Sequence, residues 1–115
     1  MPKYFVVYRV PVATMEEWRK NTPHEEMKAQ GEKLMADIME WRKKHGGDFI
    51  EKGSPLGKTK SVTASGIMDT KNDLNYYEIV EAESHETAAK MFSDSPHLQI
   101  PTSSIEVMEI PKMGM

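Results

Sequence analysis

The stretch Tyr4-Phe5-Val6-Val7-Tyr8, close to the start of the chain, decides the fold. Five residues that favour β-structure follow one another without a polar break. This pattern predicts a strand that is buried on both faces and is therefore central in its sheet. Pro11 ends the strand, because proline has no amide hydrogen for a sheet hydrogen bond. The other elements are arranged around this strand.

A long amphipathic helix is predicted from about residue 23 to residue 45. Thr22 is its predicted cap, Pro23 suits the first helical position, and Glu25 completes a capping box. Apolar residues recur at helical spacing at Met27, Leu34, Met35, Ile38 and Trp41. Gly31 lies on the same stripe, and we expect it to mark close packing of the helix on a sheet.

The remaining elements are shorter. A helical turn opens at Thr14, its predicted cap, and the pair Gly46-Gly47 is predicted to stop the long helix. Ser84 is predicted to cap a second helix near residues 85–94. Strands are predicted at Phe49-Ile50, 60–68, 74–82 and 105–110. The segments 60–68 and 74–82 are expected to pair as a hairpin.

The predicted order β-α-β-β-α-β is that of a ferredoxin-like α+β sandwich, with residues 1–115 as a single domain. Two helices cover one face of a four-stranded sheet and leave the other face bare. An apolar sheet face of that size is typical of an interface. We therefore expect a homodimer in which two bare faces meet, close a dimeric α+β barrel and enclose a cavity between the subunits.

Composition narrows the classes of function. The formal net charge is -3, from 18 acidic and 15 basic residues, so the chain lacks the basic balance of a nucleic-acid-binding protein. With no cysteine, disulfides, thiolate catalysis and zinc-cysteine sites are excluded. The N-terminal apolar run is too short for a membrane span and lacks the layout of a signal peptide. We expect a cytoplasmic protein without membrane or nucleic-acid partners.

Four segments together resemble the YCII-related family, which includes the DGPF-type proteins. They are residues 53–60, 76–84, 95–98 and 104–110. The resemblance implies a dimeric α+β barrel of ferredoxin-like subunits. Here Ser54-Pro55-Leu56-Gly57 stands in place of the Asp-Gly-Pro-Phe motif that names the DGPF branch. Family members with a proposed catalytic histidine carry it just before the first long helix, and His24 matches that place.

His97 and His24 are the predicted catalytic residues, because histidine exchanges protons near neutral pH. His97 follows Pro96 and lies before the last strand, beside the expected cavity. It is interpreted either as a general base or ligand donor, or as a structural histidine that bonds a loop carbonyl. His24 is interpreted either as an acid or base that faces the cavity, or as an exposed first-turn residue.

Sequence motifs for metals and nucleotides are absent. Neither H-x-x-x-H nor H-E-x-x-H spacing occurs, nor does G-x-G-x-x-G or the P-loop pattern, so we expect no cofactor and no metal. The first hypothesis is a cofactor-free isomerase, lyase or dehydrochlorinase that acts on a small organic molecule in the intersubunit cavity. The second is a non-catalytic ligand-binding or regulatory module. The third is a monooxygenase of the dimeric-barrel type.

Overall fold

The computed structural model describes residues 1–45 and 49–112, with residues 49–52 as backbone only. Its strands and helices are β1 (Lys3–Arg9), α1 (Val12–Asn21), α2 (His24–Lys44), β2 (Phe49–Pro55), β3 (Thr59–Thr63), β4 (Gly66–Thr70), β5 (Leu74–Glu81), α3 (His85–Lys90) and β6 (Ser104–Ile110). A short 3-10 helix, Pro96–Gln99, precedes β6. The protein is thus a mixed α+β structure. The predicted stop at Gly46-Gly47 lies outside the described residues.

In the described part of the chain, four strands form one antiparallel sheet in the order β2-β5-β1-β6. The central place predicted for the first strand is confirmed, because β1 pairs with β5 on one side and with β6 on the other. Tyr4, Val6, Val7 and Tyr8 are all buried. A strand with neighbours on both sides and buried side chains on both faces needs the unbroken apolar run that this stretch carries.

The hydrophobic core lies between the sheet and parts of α2 and α3. Alternate residues Tyr4, Val6 and Tyr8 of β1 point to this side, which we call the helix side of the sheet. Trp41 from the end of α2 packs there, with Phe92 at 5.5 Å between ring centroids. Aromatic pairs at this distance contribute beyond the area that they bury.

The opposite side of the sheet is largely apolar and partly exposed. We call it the open sheet face; its apolar residues are Phe5, Val7, Tyr77, Ile79, Met108 and Ile110. Phe5 is directly opposite Ile79 on one neighbour and Met108 on the other, which places all three on one side. Met108 is 44% exposed and Ile110 is 40% exposed. An apolar face left this open is typical of a contact surface.

The predicted hairpin between 60–68 and 74–82 is wrong. The first segment turns back on itself, so that β3 and β4 pair only with each other within the described residues, with Val62 opposite Ile67. The reversal lies at Ala64 and Ser65, and Gly66 directly after it has φ 131°, a backbone conformation that favours glycine. β5 pairs instead with β2 and β1. In a straight strand Val62 and Ile67 would face opposite sides, whereas the turn places them on the same side; alternation within each five-residue strand does not show where the turn lies.

Two predicted helix caps are also wrong. α1 begins at Val12, so Thr14 lies inside its first turn, with its hydroxyl 2.7 Å from that of Thr102. α2 begins at His24 with Pro23 at the cap position and no side-chain cap, so the capping box from Thr22 to Glu25 does not form. Pro23 has ψ 148° and is therefore extended, so α2 begins one residue later than the pattern predicted. By contrast, the Ser84 cap of α3 is confirmed, since its Oγ accepts a hydrogen bond from the Thr87 amide at 3.1 Å.

Gly31 does not mark close packing on the sheet. A Cβ atom placed there would meet nothing within 4 Å. The middle of α2 lines a groove together with α1 and the segment 99–101 and does not pack on the sheet. None of the described helices is long and apolar enough to span a membrane.

Candidate functional site

A charged cluster lies at one end of the open sheet face. The guanidinium of Arg9, the last residue of β1, forms ion pairs with Asp73 and with Glu106, and its Nε donates to Asp73 Oδ2 at 3.0 Å. The hydrogen bonds from Arg9 hold the pKa of Asp73 below its ordinary value. We call these three residues the Arg9 cluster. It gives a largely apolar surface a polar end, and Lys3 and Glu81, opposite each other, lie at the other end; an apolar surface with a few polar groups is the usual composition of a small-molecule site.

His97 supports the Arg9 cluster from the other side of the sheet. Its Nε2 lies 3.1 Å from the carbonyl oxygen of Arg9, and its ring meets the Tyr8 ring edge-on with centroids 5.1 Å apart. The Ser95 hydroxyl accepts from the His97 amide, and the Ser103 hydroxyl donates to the His97 carbonyl. His97 is therefore fixed in position by its side chain and its backbone.

The chemistry of His97 follows from its surroundings. The side chain is buried, with 5% of the residue exposed, and burial holds the pKa of its imidazole below the ordinary value. A neutral imidazole has one donor and one acceptor nitrogen. Because Nε2 lies against a backbone carbonyl, the contact resembles that of a structural histidine that bonds a carbonyl, the second interpretation given for His97. The catalytic role of His97 stays a prediction.

His24 lies at the first position of α2 and is exposed. About 25 Å of helix separates it from Trp41, which belongs to the same aromatic cluster as Tyr8, the ring partner of His97. The fold brings no acidic partner to His24 among the described residues. The structure therefore does not assemble the two predicted histidines into one site within a subunit.

A buried ionic cluster on the helix side was missed by the sequence analysis. Glu78 is fully buried; its Oε1 accepts the hydroxyl hydrogen of Tyr8, and its Oε2 lies 2.6 Å from Nη1 of Arg42. The Arg42 guanidinium also lies over the Tyr76 ring, 5.4 Å from its centroid. Burial raises the pKa of Glu78, while the Tyr8 hydroxyl and the Arg42 charge oppose that rise. A glutamate on the same strand parity as Tyr76 and Val80 was the available signal.

A groove of about 620 Å³ runs between α1, α2 and the segment before β6. We call it the helix groove. Its apolar lining consists of Met15, Trp18, Leu34, Ile100 and Pro101, and Gly31 adds a position without a side chain. At its edge the Trp18 indole donates to Gln30 Oε1 at 2.7 Å. The groove is thus an apolar concave surface with an ordered polar edge.

Metal binding has no site in the described part of the chain, where no group of three His, Asp or Glu side chains could hold an ion.

Known protein-family models do not match the chain, and a search of curated proteins finds no similar sequence.

Proposed function

We propose that the protein is a homodimer that binds a small organic molecule between two open sheet faces. The observation that carries this proposal is the open sheet face itself, an apolar surface with Met108 44% and Ile110 40% exposed and with the Arg9 cluster at its end. Two such faces in contact would bury their apolar side chains and keep water from the space between them.

The strand order supports the dimeric barrel. The sheet order β2-β5-β1-β6, with every neighbouring pair antiparallel, is the order of a ferredoxin-like subunit, if the β3-β4 hairpin is taken as an insertion. Such a subunit has its helices on one face and offers the other to a second copy. We also propose membership in the YCII-related family, which the same strand order supports, and a cytoplasmic location.

The Arg9 cluster is the polar group that would orient the ligand. Arg9 can donate to a carbonyl, carboxylate or hydroxyl oxygen, and it is held in place by Asp73 and Glu106. The rest of the ligand would pack on Phe5 and Tyr77, whose rings stack at 5.9 Å between centroids. A molecule with one oxygen-bearing end and an apolar body fits this arrangement.

Binding without turnover has more support than acid-base catalysis. The low pKa of Asp73 makes it a weak base, and the Nε2 of His97 already faces the Arg9 carbonyl. Cofactor-free isomerase, lyase or dehydrochlorinase chemistry would need a base with a free lone pair in the cavity. None of these observations favours a monooxygenase.

The experiment combines ligand screening with a variant of the open sheet face. A library of small organic acids and ketones is screened by thermal shift, because a ligand that binds the folded state raises its melting temperature. Met108→Glu places a charge on the open face and should abolish the shift and weaken the dimer about tenfold or more. Met39→Glu, at an exposed position of α2, is the matched control and should change neither. Ligand shifts that survive Met108→Glu would overturn the proposal.

A further inference from the structure

The β3-β4 hairpin projects from the subunit as an arm. Within the described residues its strands pair only with each other, and each has five residues, which gives the arm a length of about 17 Å. A two-stranded hairpin alone in water is marginally stable. The radius of gyration is 16.1 Å, against about 13 Å for a compact chain of this length. The arm therefore lacks the packing that would stabilise it.

The arm carries an apolar pair near its tip. Val62 and Ile67 are opposite each other on the two strands and are 74% and 70% exposed. On the same side of the arm, Lys60 and Asp69 form an ion pair at 2.6 Å. An exposed apolar pair beside two opposite charges has the composition of a contact surface.

The helix groove has the complementary features. Its lining is apolar, and at its edge Lys33 and Asp37 form an ion pair at 3.2 Å. Gly31 weakens a helix relative to alanine, yet nothing in the subunit lies within 4 Å of its missing Cβ. The absence of a side chain at Gly31 leaves room for an occupant to approach the helix backbone from outside.

We propose that the arm of one copy of this chain docks in the helix groove of a second copy. Val62 and Ile67 then pack on Leu34 and Trp18 near Gly31, so that the apolar tip of the arm meets the apolar floor of the groove. Lys60 comes next to Asp37, and Asp69 next to Lys33, so that each charge meets its opposite. Every copy carries one arm and one groove, and a two-fold pair can therefore satisfy both at once.

This contact goes beyond the ligand-binding proposal and uses other surfaces. The open sheet face and the Arg9 cluster have no part in it. Loss of the arm contact would leave ligand binding at the open face testable, and loss of ligand binding would leave the arm contact in place.

Thiol cross-linking tests the contact directly, because the natural chain has no cysteine. One chain carries Val62→Cys and a separately tagged chain carries Leu34→Cys; the two are mixed and treated with a short bifunctional thiol reagent. We expect a mixed cross-linked pair. A chain with Ala36→Cys, exposed on the same helix but outside the groove, is the matched control and should cross-link far less. Equal yields for Leu34→Cys and Ala36→Cys, or no mixed product, would overturn the proposal.

Arm variants supply a second measurement. Val62→Thr with Ile67→Thr keeps β-forming residues and removes the apolar pair. Made in a Met108→Glu background, where the open-face contact is weakened, it should raise the dissociation constant of the arm-groove contact about tenfold, as measured by analytical ultracentrifugation. Met68→Thr, on the other side of the arm and 58% exposed, should leave that constant unchanged. Equal effects of the two changes, or no effect of either, would contradict docking through the Val62 side.

Discussion

The imidazole of His97 and the guanidinium of Arg9 lie on opposite sides of the sheet and are linked through the Arg9 carbonyl, 3.1 Å from His97 Nε2. The imidazole packs on Tyr8 on the helix side, whereas the guanidinium pairs with Asp73 and Glu106 on the open face. His97, a predicted catalytic residue, thus contacts the backbone carbonyl of a residue in the proposed ligand site. We therefore expect the loss of His97 to lower the stability of the fold before it affects ligand binding.

His97→Asn should lower the free energy of unfolding by about 1–3 kcal/mol. Asparagine is too short to keep both the Arg9 contact and the packing on Tyr8, and a part-buried carbonyl that loses this partner is costly. Urea unfolding measures the change, and ligand binding per folded molecule should survive. His24→Asn, at an exposed position, is the matched control and should leave stability unchanged. Normal stability with lost binding would instead show that His97 acts on the ligand.

The stability of the protein should fall as the pH drops below about 6.5, the ordinary pKa of histidine. Burial holds the pKa of His97 below that value, so the unfolded chain takes up a proton before the folded chain does. The contribution of neutral His97 is complete above the unfolded pKa and is lost as the pH falls through the folded one. Urea unfolding at a series of pH values measures this slope. His97→Asn should flatten it, and an unchanged slope would contradict the assignment.

Arg42→Met should destabilise the fold by roughly 3 kcal/mol, because it leaves the buried Glu78 without the cation 2.6 Å away. The double change Arg42→Met with Glu78→Gln should recover most of that loss. The glutamine is uncharged and keeps an acceptor for the Tyr8 hydroxyl. Chemical unfolding of both single variants and the double variant gives the coupling energy. Additive losses would show that the two residues do not interact in solution.

The features that were predicted correctly from the sequence are those that a single short segment determines. The run from Tyr4 to Tyr8 fixes a central strand, Ser84 is followed at once by the helix that it caps, and Trp41 ends an apolar stripe. The hairpin was misassigned because alternation records which side a residue faces and not where the strand turns. A glycine such as Gly66, at φ 131°, was the sign of that turn.

The Arg9 cluster could not be predicted because its members come from distant parts of the chain. Arg9 is at the end of the first strand, whereas Asp73 precedes β5 and Glu106 is in β6. Only the antiparallel register of the sheet brings them together. Charged residues on strands and turns are common, so nothing in any single segment marked these three.

Ser84→Ala should cost about 1 kcal/mol of stability, whereas Thr22→Ala should cost close to none. The Ser84 side chain accepts from the Thr87 amide at 3.1 Å, but α2 begins after Pro23 without any side-chain cap. Thermal and urea unfolding of the two variants measure the difference. The pair is its own control, since both changes remove a hydroxyl near a helix start. Equal losses would show that Thr22 caps α2 in solution.

Gly31→Ala should have opposite effects on the subunit and on its association. Alanine stabilises a helix by about 1 kcal/mol relative to glycine, and its Cβ meets nothing within 4 Å in the subunit. Urea unfolding of the dilute protein should therefore show a gain. The same methyl group enters the helix groove where the partner's arm is proposed to dock, so the dissociation constant measured by ultracentrifugation should rise.

The control for this change is the reverse substitution, alanine to glycine, at another position of the same helix. Ala36→Gly should lower the free energy of unfolding by a similar amount, because Ala36 is also an exposed position within α2. It lies outside the lining of the groove and should leave association unchanged. If association changed in the same direction as stability within each variant, helix propensity alone would explain the data. Docking of a second copy's arm against Gly31 would be supported if Gly31→Ala gained stability and weakened association, while Ala36→Gly lost stability and left association unchanged.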